Sequence, residues 1–352
     1  MTVQLPTKII LTADPSFADM AQDEVRKAAP ILDFLELAPG IFLTQIDGDL
    51  LELAEAWRVT PPIFVRHICP VQVEFYLGGV AEDVLGLAEL VADEIVPLVE
   101  ADWPFSVQTR ILAELPYKPF DVNNTLAQVI MDRTGAPLDV RQPQQILSVV
   151  CTDEMAYLGV SLTAHNLSDW AGGTRRFARE KEQISRAEFK LLEALEVFGI
   201  DLPPRGVALD LGASPGGWSR ILRLREQYVT AIDPALLDPR LSEDQAIRHL
   251  RVTAEAYLAD EPDQFDLIVN DMRMDARDSA RLMVDYAPQL YPGGAVIMTL
   301  KLPEEGRATV IDHAWEILET AYTIVGARQL FHNRSEITLY MLPKQRKSEW
   351  SE

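Results

Sequence analysis

The chain has 352 residues, 48% of them apolar, which excludes a disordered chain and suggests two domains, since single cores rarely grow past about 250–300 residues. Its net charge of −22 weighs against a nucleic-acid partner, because such proteins usually carry a basic excess. Cys69 and Cys151 lie far apart in no CxxC spacing, so they read as reduced core thiols, and no metal is expected.

No apolar run is long enough to cross a bilayer. The start MTVQLPTKIILTADPSF lacks the basic end and apolar core of a signal peptide, so a cytoplasmic protein is expected. Residues 7–12 (TKIILT) read as a strand and 15–29 as an amphipathic helix. Strands follow at 41–46 and 63–68, with a helix at 48–57 between them. Residues 82–101 carry apolar side chains at helical spacing and predict one long helix. A strand at 106–112 and a helix at 121–134, ending near Gly135, come next. QILSVVCT and AYLGVSLT then predict a hairpin turning at Asp153 and Glu154. Residues 1–165 thus form an α+β region, with no cluster of His, Cys or carboxylates that suggests chemistry.

Residues 166–184 are polar, contain Gly172 and Gly173, and read as a linker. The charge balance shifts here. Residues 1–165 hold 9 Lys and Arg against 24 Asp and Glu, and the rest of the chain holds 23 against 30. Arg175, Arg176, Arg179, Lys181 and Arg186 form a basic cluster at this junction, either a solvated face or a phosphate clamp.

From 185 to 345 strands and helices alternate, which predicts a doubly wound, mostly parallel sheet with helices on both faces. SRAEFKLLEALEVFG opens as a helix with a capping box between Ser185 and Glu188. Strands are expected at 207–211, 228–233, 265–271 and 295–301, with helices after Gly217, around 275–290 and around 307–320. Paired strands follow near 323–330 and 335–342, and 346–352 is a tail.

The stretch ALDLGASPGGWSR ends the first of these strands, where ligands bind in such sheets. It is neither the dinucleotide GxGxxG nor a Walker loop, and Pro215 removes an amide that a phosphate would use. A turn that exposes backbone without adding positive charge suits a ligand without phosphates, such as S-adenosylmethionine (SAM). Asp210, Gly212, Ser214, Pro215, Gly216, Gly217 and Trp218 are its candidate contacts, although Trp218 also suits a core position under the turn. Asp233 closes the next strand, where a carboxylate can accept both ribose hydroxyls or merely start a turn before Pro234.

DLGASPGGWS resembles the SAM-binding motif of the FtsJ/RrmJ-type RNA 2′-O-ribose methyltransferases. The resemblance implies a catalytic Lys-Asp-Lys-Glu tetrad: Lys190 in SRAEFK, Asp271 in LIVNDM, Lys301 in GGAVIMTLKLP and Glu336 in NRSEITLY. Asp271 is a candidate cofactor contact as well. TLKLP followed by ARQLFHNRSEITLY resembles the RlmM branch of that family, which implies a cytidine of 23S rRNA as target and an N-terminal THUMP/ferredoxin-like RNA-binding region at 1–165. With RNA as partner, Arg175, Arg176, Arg179 and Arg186 become candidate phosphate contacts, and Arg328 and Arg334 contact RNA or pair with local acids. His332 reads as a structural histidine. The family carries an Asp after its third strand to hold adenine; here RVTAEAYL offers Thr253 and Glu255 instead.

A monomer is expected. Two other readings stay open: a binding protein on a methyltransferase fold, and a methyltransferase of a non-RNA substrate. The second would not need two lysines, and lysine is scarce here, eight against 24 arginines.

Overall fold

A computed structural model describes residues 7–344, apart from Glu261 and the side chain of Leu32. The expected tail at 346–352 lies outside the described residues. The chain divides into two compact units, Met1–Thr174 and Arg175–Glu352.

The first unit opens with β1 (Thr7–Thr12), α1 (Ala18–Ala28), β2 (Ile31–Ala38), β3 (Ile41–Ile46), α2 (Leu50–Val59) and β4 (His67–Val71). Their sheet order is β2-β3-β1-β4, all antiparallel, which is the ferredoxin-like arrangement. α2 begins after Asp49, which accepts the Leu51 amide, and Asp14 accepts the Ser16 amide in the 3-10 turn leading to α1. The strand expected at 63–68 starts later. The amides of Ile63, Phe64 and Val65 are held instead by the Glu24 carboxylate at 2.6–3.0 Å, and β4 runs through Pro70 as an edge strand, where a missing amide is tolerated. His67 on β4 is fully buried, facing a small cavity shared with Thr12, Gln108 and Ser148.

Next come β5 (Val73–Tyr76), α3 (Asp83–Leu90), β6 (Phe105–Ile111), α4 (Pro119–Thr134), β7 (Gln145–Cys151) and β8 (Met155–Leu162), in sheet order β5-β8-β7-β6. The single helix expected over 82–101 is not continuous. It widens into a π-helical stretch at Val91–Ile95 and ends as a 3-10 turn at Val96–Leu98. Pro97 is the cause, since it donates no amide and its ring crowds the carbonyl four residues back. The β7–β8 hairpin pairs Cys151 with Ala156, as the sequence suggests. Both cysteines are buried free thiols. Residues 166–174 are built into this unit: the Thr12 hydroxyl donates to the Gly172 carbonyl at 2.8 Å, and the Ile68 amide donates to that of Asn166.

The second unit contains α5 (Ala187–Val197), β9 (Val207–Leu211), α6 (Gly217–Leu224), β10 (Tyr228–Ile232), β11 (Ile247–Leu250), α7 (Ala254–Ala259), β12 (Phe265–Asn270), α8 (Ala276–Tyr286), β13 (Leu290–Lys301), α9 (Arg307–Leu318), β14 (Tyr322–Arg328) and β15 (Glu336–Pro343). Among the described residues the sheet order is β11-β10-β9-β12-β13-β15-β14. The expected parallel sheet is present: β9 and β10 are parallel neighbours, as are β9 and β12, and only β15 runs antiparallel to both of its neighbours. Ala208, Leu209, Leu211, Val229, Ala231, Leu267, Val269 and Ile297 are buried, as strands covered on both faces require. The strand order reverses about β9, so the carboxyl ends of β9 and β12 open the crevice where a ligand can sit. No described helix is long and apolar enough to cross a membrane.

Candidate active site

A cavity of about 1270 Å³ lies at these strand ends, and it is lined by residues of the second unit alone. Its upper wall is the glycine turn after β9. Gly212 has φ +74°, and a Cβ there would come 2.4 Å from Met272 Cγ, so this turn needs glycine on two counts. Gly217 opens α6 against Ser185, whose Oγ lies 2.3 Å from where a Cβ would stand. Asp210, Gly212, Ser214, Pro215, Gly217, Trp218 and Asp233 all line the cavity. Gly216 does not; it packs against Leu241.

Asp233 joins the turn to β10, accepting the Ser214 amide at 3.0 Å and the Ala235 amide at 2.8 Å. Each of its oxygens retains a lone pair for a further donor. Trp218 is a core residue whose indole N–H donates to the Ala187 carbonyl at 2.8 Å. Asp210 is buried, accepts the Ser219 hydroxyl at 2.6 Å, and has its pKa pushed up to about 7 by burial, an effect that neighbouring Asp271 and Asp233 reinforce. Thr253 caps α7 through the Ala256 amide, while Glu255 lines the cavity beside it.

The cavity floor carries the four residues singled out as a tetrad. Lys190 projects from α5, Asp271 follows β12, Lys301 ends β13, and Glu336 starts β15 directly opposite Lys301 in the antiparallel register. Lys190 Nζ donates to both Asp271 oxygens at 3.1 Å and lies 2.7 Å from Glu336 Oε1. Lys301 Nζ donates to Asp271 Oδ1 at 2.6 Å and lies 3.8 Å from Glu336 Oε1.

The two lysines are shifted in opposite directions. Burial depresses the Lys301 amine, Asp271 opposes, and the Lys190 charge depresses it further; the balance falls below the usual lysine value. Burial also depresses Lys190, but Asp271 and Glu336 outweigh it and hold its pKa above the ordinary range. Burial raises the Asp271 carboxyl, yet the two ammonium groups win and keep it below the usual carboxylate range. The cluster therefore contains one amine held above the ordinary lysine range and one held below it.

Two residues that sequence reasoning missed support this arrangement. The Thr299 hydroxyl donates to Asp271 Oδ1 at 2.7 Å. It stands two residues before Lys301 on the same strand face, so the period of two could have found it. Glu193, one turn along α5 from Lys190, accepts the amides of Phe331 and His332 at 2.8 and 2.9 Å and fixes the loop before β15. A lone helical glutamate carries no such sign in sequence.

The capping box is half made. Glu188 accepts the amides of Ile184 and Ser185, but the Ser185 hydroxyl makes no return bond and is a buried oxygen without a partner beside the cavity. His332 sits among Phe177, Phe189 and Phe331, with ring centroids 5.0–5.4 Å away. Arg328 is buried at 7% exposure, which removes it from any phosphate surface. Arg175 is gripped by Glu196 and lies over Phe177, while Arg176, Arg179 and Arg186 are exposed. Of these four only Arg186 reaches the cavity. Among the described residues no three His, Cys, Asp or Glu side chains are placed to hold a metal.

Residues 183–314 match the sequence model of the FtsJ-like methyltransferase family, which accords with the parallel sheet and its glycine turn. Relatives named ribosomal RNA large subunit methyltransferase M are similar to the chain. That of Halorhodospira halophila is 35% identical over 49% of this chain and 50% of its own length. That of Methylococcus capsulatus is 33% identical over 54% and 56%. In these two the match spans about half of the relative. That of Laribacter hongkongensis is 33% identical over 94% of this chain and 96% of its own. The chain belongs to the ribosomal RNA large subunit methyltransferase M family.

Proposed function

We propose that this protein is a SAM-dependent methyltransferase of large-subunit ribosomal RNA, acting on a ribose 2′-hydroxyl, with a cytidine of 23S rRNA as target. The observation that carries this reading is the Lys190–Asp271–Lys301–Glu336 cluster, gathered from four separate segments onto the floor of the cavity beside the glycine turn.

SAM fits the residues present. The wall offers close-approach glycine backbone, the orphaned Ser185 hydroxyl, and the carboxylates Asp210, Asp233 and Asp271, which suit a cation carrying ribose hydroxyls rather than phosphates. Gly212–Gly217 and Ser185 would hold its amino-acid end, Asp233 its ribose, and Glu255 or backbone groups its adenine. When bound, SAM supplies an activated methyl group. The protein must then supply a base and alignment, because a ribose hydroxyl is a poor nucleophile near neutral pH.

Lys301 is the base. In its neutral form it keeps two N–H groups, one for Asp271, and offers its lone pair to the 2′-OH proton. Lys190 remains charged and favours the neutral form of Lys301. Asp271, held by Thr299 and both lysines, orients the two amines. Glu336 anchors Lys190 from the opposite strand.

The first unit serves in this reading as a THUMP-like RNA-binding region, Arg176, Arg179 and Arg186 near the start of the second unit meet RNA phosphates, and the protein works as a cytoplasmic monomer. The test is 2′-O-methylation mapping of rRNA from cells lacking the protein, complemented by wild type or by Lys301→Ala. Wild type should restore one missing mark and Lys301→Ala should not. An unchanged methylation pattern in the deletion strain would overturn the reading.

A further inference from the structure

Three arginines surround the cavity mouth on three different segments: Arg186 before α5, Arg273 two residues after Asp271, and Arg334 two residues before Glu336. All three are exposed, and no carboxylate of the described residues lies within ion-pair distance of them. Elsewhere in the same unit Arg175, Arg220, Arg223, Arg240, Arg248, Arg277 and Arg281 each hold an aspartate or glutamate, and Arg176, Arg179, Arg205, Arg225 and Arg251, which have no ion pair among the described residues, do not line the cavity. In a chain with 54 acids and 32 bases, leaving three guanidiniums unpaired around one cavity is informative.

Their supports are firm. Arg334 stands on a loop fixed by Glu193 through two amides, by the Gln329 side chain donating to the Arg334 carbonyl at 3.1 Å, and by buried Asn333 donating to the Glu336 carbonyl at 3.0 Å. Arg273 follows Met272, whose amide is held by Asn270 at 2.9 Å.

We infer that Arg186, Arg273 and Arg334 form a phosphate clamp that grips the RNA backbone on either side of the nucleotide whose 2′-OH enters the cavity. The proposal rests on the RNA reading above. A ribose in RNA carries one phosphate on each side, so a 2′-OH brought to Lys301 places phosphates at the rim rather than among the carboxylates below. Guanidinium forks match phosphate oxygens and stay charged at any working pH. The clamp contacts backbone, so it positions without reading sequence.

The test uses the full chain with all three arginines changed to glutamine, plus the single variants Arg273→Gln and Arg334→Gln. Calorimetry with SAM reports whether the cavity is intact, and binding of a short single-stranded RNA is measured across salt concentrations. SAM affinity should hold, the KM for RNA should rise at least about tenfold, and the log–log salt slope should flatten by ~2 units, at ~0.7 per lost contact. An RNA with neutral methylphosphonate linkages flanking the target should bind wild-type protein as weakly as native RNA binds the triple variant. Unchanged KM and slope in the variants, or full-strength binding of the neutral-linkage RNA, overturns the clamp alone. Wild-type protein that neither binds RNA nor methylates it overturns the RNA reading, and the clamp with it.

Discussion

Carboxylates that fix loops in the first unit and those of the tetrad in the second are used differently. In the first, Glu24 spends its oxygens on the amides of Ile63, Phe64 and Val65, and Asp83 spends its own on Gly78, Gly79 and Val80. Amides do not titrate, so these contacts fix loops and do no chemistry. In the second, Asp271 and Glu336 face two amines, one of which sits below its ordinary pKa. The contrast teaches that burial of an acid is not itself a functional sign. What its oxygens hold decides.

The sharpest way to break this contrast is Lys301→Ala. It should retain SAM affinity by calorimetry and lose methyl transfer by ~10²–10⁴-fold, the usual contribution of acid–base assistance. Lys301→Arg should fare no better, because guanidinium keeps its proton. Near wild-type turnover in the arginine variant would remove the base from the mechanism.

Wild-type rate should rise with pH and level off below the ordinary lysine pKa, as Lys301 loses its proton. In Lys190→Ala that rise should move to higher pH, since a charge depressing Lys301 is gone. A rate profile that stays in place would mean the two amines are not coupled.

A middle-sized effect tests the first unit. Asp83→Ala leaves three amides without their acceptor and should cost about 1–3 kcal/mol, read as a lower denaturation midpoint, with kcat per folded molecule unchanged. Loss of turnover without loss of stability would contradict the division drawn above.

His67 sharpens the comparison from the other sign. Burial, aided by the Arg110 charge, takes its pKa from 6.5 to about 3. Its unfolded form therefore binds a proton that the folded form refuses, so its contribution is fully present above pH 6.5 and is lost as pH falls toward 3. Protection factors of the β1 and β4 amides, with exchange corrected for its intrinsic pH dependence, should fall over that window, and His67→Phe should flatten the response.

The smallest effects concern the basic junction. Changing Arg176 and Arg179 to alanine should flatten the salt slope of RNA binding by up to ~1.4 units, at ~0.7 per contact. Arg175→Ala should act through its lost Glu196 pair instead, at ~1 kcal/mol or less.

The residues that line the candidate site were more legible than the scaffold around them. Each tetrad member ends a strand or opens an element next to a recognisable turn, so short motifs located it. β2 went unread because Asp33 and Glu36 interrupt its apolar run, and β11, only four residues long, has no alternation to detect. Pro97 sits in a run of perfect helical spacing, and the spacing outvoted it although the backbone could not comply. Sequence left Arg175 between a solvated face and a phosphate clamp, and Arg328 between RNA and local acids, because a partner at Glu196 or a buried strand position becomes visible only after folding.

The pairing of Lys301 with Glu336 carries a consequence for how the protein is made. A ribosome releases Lys190, Asp271 and Lys301 before it has built the strand bearing Glu336, and on the order of a few seconds of synthesis separate the last two. Until that strand zips against β13, Lys190 lacks one of its two counter-charges, and the loop bearing Arg334 has nothing to end on. A slip of one residue would point Glu336 to the wrong face of the sheet. On the proposed reading, activity therefore begins only with the docking of a late strand.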